Sequence, residues 1–111
     1  MGEVVVLITT GSVEEAQKIG RVLVDEGLVA CANIVPTVQS IFRWEGQVTE
    51  EQETLLIVKS VSEAFESLEA KVKAHHSYSV PEIIALPIET GSEPYLAWVR
   101  DMIGPLKGPG R

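Results

Sequence analysis

The chain has 111 residues, of which 45% are hydrophobic and 23% charged, and its formal net charge at pH 7 is -7. This composition is typical of one folded domain and excludes a disordered chain. The acidic balance argues against a nucleic-acid binder and against a protein held on an anionic membrane, because both use a basic surface to displace counterions. We therefore expect neither nucleic acid nor membrane among the partners.

Cysteine usage and the amino-terminal residues predict a reducing compartment. Cys31 is the only cysteine, so the chain forms no internal disulfide and cannot build a thiolate metal cluster by itself. The first residues, Met1-Gly2-Glu3-Val4, lack the basic region and cleavage site of a signal peptide. We therefore expect a cytoplasmic protein.

The first quarter of the chain predicts a strand followed by a helix. A β-branched apolar run over residues 4–9 predicts a buried strand. Ser12 with Glu15 forms a capping-box pattern that starts a helix, and Gly27 is its predicted end. Gly20 lies on the apolar side of this helix and predicts a close approach to a sheet.

The middle of the chain predicts two further strands joined by a turn. The first covers residues 30–43 and is expected to bulge at Pro36, since proline cannot donate a hydrogen bond to a strand ladder. Residues 44–47 predict a hairpin turn, and residues 54–58 predict the next strand.

The remaining residues predict a helix, a strand and a short helix. Ser62 is the predicted cap of the second helix, which has an apolar stripe made by Phe65, Leu68 and Val72. Further strand and helix signals follow at 83–88 and 94–103. We expect one domain over residues 1–104 and a flexible tail over residues 105–111.

The element order β-α-β-β-α-β with an added helix predicts an α+β fold of the ferredoxin-like type, a split βαβ sandwich. Alternate residues of the predicted strands are apolar on both sides, so both faces of the sheet need cover. Two helices cover only one face, which predicts packing against other copies of the chain. The alternative is that the apolar C-terminal helix covers the second face alone.

Several residues could carry chemistry. Adjacent His75 and His76 are candidate metal ligands, although a histidine pair also suits the C-terminus of a helix for electrostatic reasons alone. Cys31 is a candidate soft ligand or nucleophile, with simple burial in its apolar surroundings as the alternative. Candidate oxygen ligands, most of them expected at the solvated edge of the domain, are Glu50, Glu51, Glu53, Glu82 and Glu89. Motifs of common enzymes, such as GxSxG and HExxH, do not occur, so we do not expect an enzyme.

Four segments and three single residues form a pattern across the chain. They are LVACANIVP at 28–36, SIFRWEG at 40–46, ETLLIVK at 53–59 and HSYSVPEII at 76–84, followed by Gly91, Tyr95 and Trp98. In this order and spacing they resemble the CutA divalent-cation tolerance family. The resemblance implies a ferredoxin-like fold and a homotrimer similar in architecture to PII-like signalling proteins. The resemblance also implies that Tyr95 and Trp98 lie at the trimer interface. It implies a cleft between subunits that holds Trp44, Glu53, Lys59, Tyr78 and Glu82.

The resemblance also implies a function in metal homeostasis. Members of the family are linked to divalent-cation tolerance and to copper(II) binding, which implies copper(II) or another divalent metal bound by His75 and His76, with Cys31 as a helper. Some members carry a further cysteine late in the first strand, where this chain has Leu7-Ile8-Thr9, so a ligand of that kind is lost. The alternative is a PII-like adaptor that binds a small ligand or a protein partner in the cleft. A third hypothesis is a hydrolase that uses Cys31 as its nucleophile.

Overall fold

The structure, a computed structural model, describes residues 2–105 and shows an α+β fold, as the element order predicts. A short 3-10 turn over Ser62–Ala64 precedes the second helix. The strands and α-helices are β1 (Glu3–Thr10), α1 (Val13–Asp25), β2 (Cys31–Trp44), β3 (Gln47–Val61), α2 (Phe65–His75), β4 (Ile83–Pro87) and α3 (Glu93–Met102). Most of the predicted tail, residues 106–111, lies outside the described residues. No helix within the described range is long and apolar enough to cross a membrane.

The four strands form one antiparallel sheet in the order β2-β3-β1-β4. Helices α1 and α2 cover one face of this sheet, and apolar side chains from both layers are removed from water there, which is the main stabilising contribution to the fold. The most completely buried members of this core include Val6, Ile8, Ile19, Leu23, Leu56, Val58, Leu68 and Val72.

Helix α1 begins and packs as the sequence predicts. The Ser12 hydroxyl accepts a hydrogen bond from the Glu15 backbone N–H at 3.1 Å. The Glu15 carboxylate accepts from the Gly11 N–H at 3.2 Å rather than returning to Ser12. Gly20 is buried, and a Cβ atom there would lie 3.2 Å from the Cβ of Ala32, so the glycine lets α1 approach β2 closely.

The predicted starts of α2 and β3 are wrong. Ser62 opens the 3-10 turn and does not cap α2, which begins one turn later behind Ala64 without a side-chain cap. Strand β3 begins at Gln47 instead of Thr54, because residues 47–53 pair with β2 alone and are mostly polar. A two-stranded ribbon exposed on both faces has no buried side, so the period-two apolar signal of a strand is absent there.

A bulge in β2, at the base of the ribbon formed by residues 38–53, determines on which face of the sheet each side chain of the ribbon lies. Val35 lies opposite Leu55, whereas Val38 lies opposite Glu53, so β2 carries one extra residue at the predicted position around Pro36. After the bulge, the even-numbered residues of β2 therefore lie on the face of the sheet that its odd-numbered residues occupy before the bulge. At the tip, both turn residues have positive φ, 51° at Glu45 and 79° at Gly46, as a two-residue hairpin turn of the mirror-image type requires.

The sheet face opposite α1 and α2, called the open face below, is covered only in part. Helix α3 lies against it, where Arg100 donates to the Glu3 carboxylate at 2.9 Å. Apolar side chains remain exposed on this face of β4 and on α3: Ile84 at 48%, Leu86 at 47% and Trp98 at 39%. Within residues 2–105, therefore, α3 does not cover the second face alone.

Candidate functional site

His76 is hydrogen-bonded at both ring nitrogens. Its Nε2 lies 2.7 Å from the Thr9 carbonyl oxygen, and its Nδ1 accepts from the Tyr78 backbone N–H at 3.0 Å. The side chain is fully buried. In this network Nδ1 is the acceptor of the Tyr78 N–H, and Nε2 is the donor to the Thr9 carbonyl, because a carbonyl oxygen only accepts. A metal would reach either ring nitrogen only by breaking one of these bonds.

Among residues 2–105, one ring nitrogen of His75 has a hydrogen-bond partner. It lies half-buried in the last turn of α2, with Nδ1 3.0 Å from the Lys71 carbonyl oxygen. Because a carbonyl only accepts, Nδ1 carries the proton and donates, and Nε2 keeps the lone pair that a metal would use. The two adjacent histidines therefore have different capacities: His75 offers a ligand atom and His76 ties the loop after α2 to β1.

Glu15 fastens the same loop to α1. Its carboxylate accepts from the Ser77 backbone N–H at 2.7 Å and from the Ser77 hydroxyl at 3.1 Å. Burial acts to raise the pKa of the Glu15 carboxyl, but the hydrogen bonds from Ser77 and Gly11 outweigh burial, and the pKa is lowered. Because the pKa is lower in the folded than in the unfolded state, the ionised carboxylate stabilises the fold at pH values above the unfolded-state pKa. This stabilisation is lost as the pH falls through the folded-state pKa. These contacts are therefore fully formed at neutral pH.

Tyr78 joins the loop to the ribbon. Its hydroxyl donates to the Glu53 carboxylate at 2.7 Å, and its ring packs on the ring of His76 with centroids 4.7 Å apart. Burial first, and then the bond to Glu53 and the charges of Glu53, Glu51 and Glu15, raise the pKa of the Tyr78 hydroxyl. Tyr78 is thus a protonated donor in a negatively charged surrounding.

A cleft of about 580 Å³ lies where the ribbon meets the segment after Tyr78. Four of the five predicted cleft residues line it: Trp44, Glu53, Tyr78 and Glu82. Its other lining residues are Thr9, Ser40, Ile41, Phe42, Glu51, Ser79 and Val80. Its location between subunits stays a prediction. Phe42 and Glu51 were not among the predicted cleft residues, because only the register across the bulge shows that they share this face.

The fifth predicted residue, Lys59, belongs to a separate cluster on the open face. Its ammonium donates to the Asn33 side chain, and it pairs in register with Cys31. The Cys31 sulfur lies 3.5 Å from the Tyr95 hydroxyl, and the Tyr95 and Trp98 rings pack with centroids 5.6 Å apart. This arrangement places the two predicted interface residues beside the only thiol.

Cys31 and the histidines lie at different ends of the sheet. Lys59 pairs with Cys31 on one side and with Val5 of β1 on the other. His76 binds the carbonyl of Thr9, which is four residues beyond Val5, or roughly 13 Å further along β1. The described neighbours of the thiol are an amide and a phenol, so no histidine of the same chain is positioned to activate it. In residues 2–105 no group of three or more His, Cys, Asp or Glu side chains is placed to hold a metal ion. Metal binding by His75, His76 and Cys31 stays a prediction, in which the geometry favours His75.

Comparison with known proteins gives the chain its family. Residues 4–102 match the family model described as CutA1 divalent ion tolerance protein. The chain is 54% identical to the divalent-cation tolerance protein CutA of Thermus thermophilus over 92% of its own length and 99% of that protein. It is 44% identical, over 88% of its length, to the chloroplastic protein CutA of Arabidopsis thaliana, of which it spans 54%.

Solved structures agree. The structure of the Thermus thermophilus protein superposes with a TM-score of 0.90 at 54% identity, covering 92% of this chain and 99% of that one. A structure named periplasmic divalent cation tolerance protein CutA, from Archaeoglobus fulgidus, superposes with a TM-score of 0.89 at 39% identity, with the same coverage of 92% and 99%. On the family match and these identities, the chain belongs to the CutA1 divalent ion tolerance protein family.

Proposed function

We propose that the protein acts in divalent-cation tolerance as a homotrimer of ferredoxin-like subunits, and that it binds copper(II) or another divalent cation through His75. The observation that carries the proposal is the bond from Nδ1 of His75 to the Lys71 carbonyl, 3.0 Å long. Metal-binding histidines are commonly held by such a bond, because it fixes the tautomer and orients the other nitrogen. Imidazole also suits copper and zinc better than magnesium or calcium.

The remaining ligands are assigned to neighbouring copies of the chain. One chain contributes too few convergent ligands within residues 2–105, so a tight site needs groups from a second copy. The half-covered open face gives a reason for the copies to associate, since exposed apolar patches of this kind mark interaction surfaces. The net charge of -7 favours the approach of cations. His76 and Cys31 have weaker support as ligands, for the reasons of hydrogen bonding and distance given above.

Changing His75 to alanine should abolish tight copper(II) binding. Loss of a ligand is expected to weaken affinity at least as much as loss of a group that orients one, which costs about ten- to a hundredfold. The measurement is a titration of metal-free protein against a chelator of known copper affinity. Lys73→Ala is the matched control, because it alters the same helical turn without removing a metal ligand. Equal copper affinity in His75→Ala and the native protein would rule out His75 as the ligand.

A second candidate function is that of a PII-like adaptor that binds a small ligand or a protein partner in the cleft. Its support is that residues from β2, β3 and the loop after α2 meet around one cleft of about 580 Å³, within the usual size range of small-molecule sites. Glu53→Gln or Trp44→Leu would impair this function and leave copper(II) binding by His75 unchanged.

The cytoplasm is the proposed compartment. The single thiol of Cys31 supports a reducing environment. Named relatives include a chloroplastic and a periplasmic protein, so family membership alone does not fix the compartment.

A further inference from the structure

We propose that the cleft binds a small organic ammonium ion. The proposal rests on the second candidate function and adds the chemical class of the ligand. The cleft combines two kinds of side chain that recognise such an ion, and among its described lining residues there is no lysine, arginine or histidine. The aromatic members are Phe42, Trp44 and Tyr78, and the carboxylates are Glu51, Glu53 and Glu82.

The strand register places rings and carboxylates side by side. Because of the bulge in β2, Phe42 and Trp44 lie on the same face of the ribbon as Glu51 and Glu53. Ser40 is directly opposite Glu51, so Phe42 is the diagonal neighbour of Glu51, with their Cα atoms about 7–8 Å apart. An ammonium group between them would touch a ring face within about 6 Å of its centroid and also approach a carboxylate oxygen.

The charge of the cleft favours a cation. After burial, the main causes of the raised pKa of Tyr78 are the hydrogen bond and charge of Glu53 and the charge of Glu51, so both carboxylates act on the hydroxyl of a residue that lines the cleft. Tyr78 donates to one oxygen of Glu53, and the carboxylates of Glu51 and Glu82 add further acceptors to the lining. A ligand that brings its own positive charge offsets their mutual repulsion.

The spacing of these groups suits an organic cation better than a bare metal ion. A calcium ion, for example, needs several oxygen atoms converging within about 2.3–2.6 Å. No three such side chains of residues 2–105 converge in this way. An alkylammonium ion is larger, so its charged end can reach a carboxylate while its alkyl part covers apolar lining such as Phe42 and Val80.

The test uses two probes of matched size, n-butylammonium and n-butanol, titrated calorimetrically into the full-length native protein at neutral pH. An alkylamine is protonated there, since its pKa is near that of lysine, about 10. We expect n-butylammonium to bind at least tenfold more tightly than n-butanol, with the difference shrinking as salt is added. Glu51→Gln should weaken n-butylammonium binding about tenfold or more, as expected for a lost charge contact of about 1.4 kcal/mol.

Glu50→Gln is the matched control. It makes the same change in net charge one residue away, but Glu50 lies opposite Ile41 on the other face of the ribbon. Equal loss in Glu50→Gln and Glu51→Gln, or no binding of n-butylammonium, would overturn the proposal. If n-butanol and n-butylammonium bind equally well and Phe42→Leu abolishes both, the ammonium-ion proposal is overturned. The second candidate function, a cleft that binds a ligand, would then still be supported. Copper(II) binding by His75 is tested separately from the cleft. If the metal site lies outside the cleft, Glu51→Gln leaves copper(II) affinity unchanged.

Discussion

Replacing Leu86 with glutamate is expected to separate the proposed homotrimer into single folded chains. Leu86 lies on the open face of β4 beside Ile84, and each is nearly half exposed, at 47% and 48%, in the single chain. If other copies cover this face, every chain of the Leu86→Glu variant buries an unpaired carboxylate on assembly. Burying it costs at least about 2 kcal/mol per chain. Over three chains this loss weakens association by more than about a thousandfold. Sedimentation velocity, with circular dichroism to verify folding, measures the change.

Val24→Glu is the matched control for that variant. Val24 is 43% exposed, close to the value for Leu86, but it lies on α1, which packs against the other face of the sheet. We expect Val24→Glu to keep the native mass. If Leu86→Glu also sediments with the native mass, the open face is not the surface through which copies associate.

Replacing His76 with alanine is expected to lower the free energy of unfolding by about 3–5 kcal/mol. The change leaves the Thr9 carbonyl and the Tyr78 N–H without their partner, at about 1–3 kcal/mol each, and also opens a cavity where a fully buried ring was. Urea unfolding measures the loss, at one protein concentration for all variants, because association contributes to apparent stability.

His75→Ala serves as the comparison for His76→Ala. The side chain of His75 makes one hydrogen bond, to a carbonyl in the last turn of α2, and is half-buried. Its removal is expected to cost about 1 kcal/mol. Two equally destabilised variants would show that the neighbouring histidines do not have the separate roles assigned here.

The parts of the fold that were predictable have local causes. The Ser12 cap, the close approach at Gly20 and the bulge near Pro36 each follow from the chemistry of one or two residues. The start of β3 at Gln47 was not predictable in this way. Its first seven residues pair only with β2, so their strand conformation depends on the hairpin turn and on the partner strand rather than on burial.

The candidate site was predictable as a set of residues but not as an arrangement. The resemblance indicated both His75 and His76, and no local feature distinguishes them. What separates them is the Thr9 carbonyl, which lies 67 positions from His76 in the chain. Within one chain the register pairs Lys59 with Cys31 near Tyr95, apart from the other predicted cleft residues, and its place in a cleft between subunits stays a prediction. Such long-range pairings depend on the register of the sheet, which sequence periodicity does not specify.

The measurement that tests the central claim most directly is the copper(II) affinity of the single-chain Leu86→Glu variant, beside the native protein and the assembled Val24→Glu variant. If the cation takes ligands from more than one copy, the native protein and Val24→Glu bind with equal affinity, and Leu86→Glu binds at least about a hundredfold more weakly. Native affinity in Leu86→Glu, with one copper(II) ion per separate chain, would contradict a metal site that is completed by neighbouring copies.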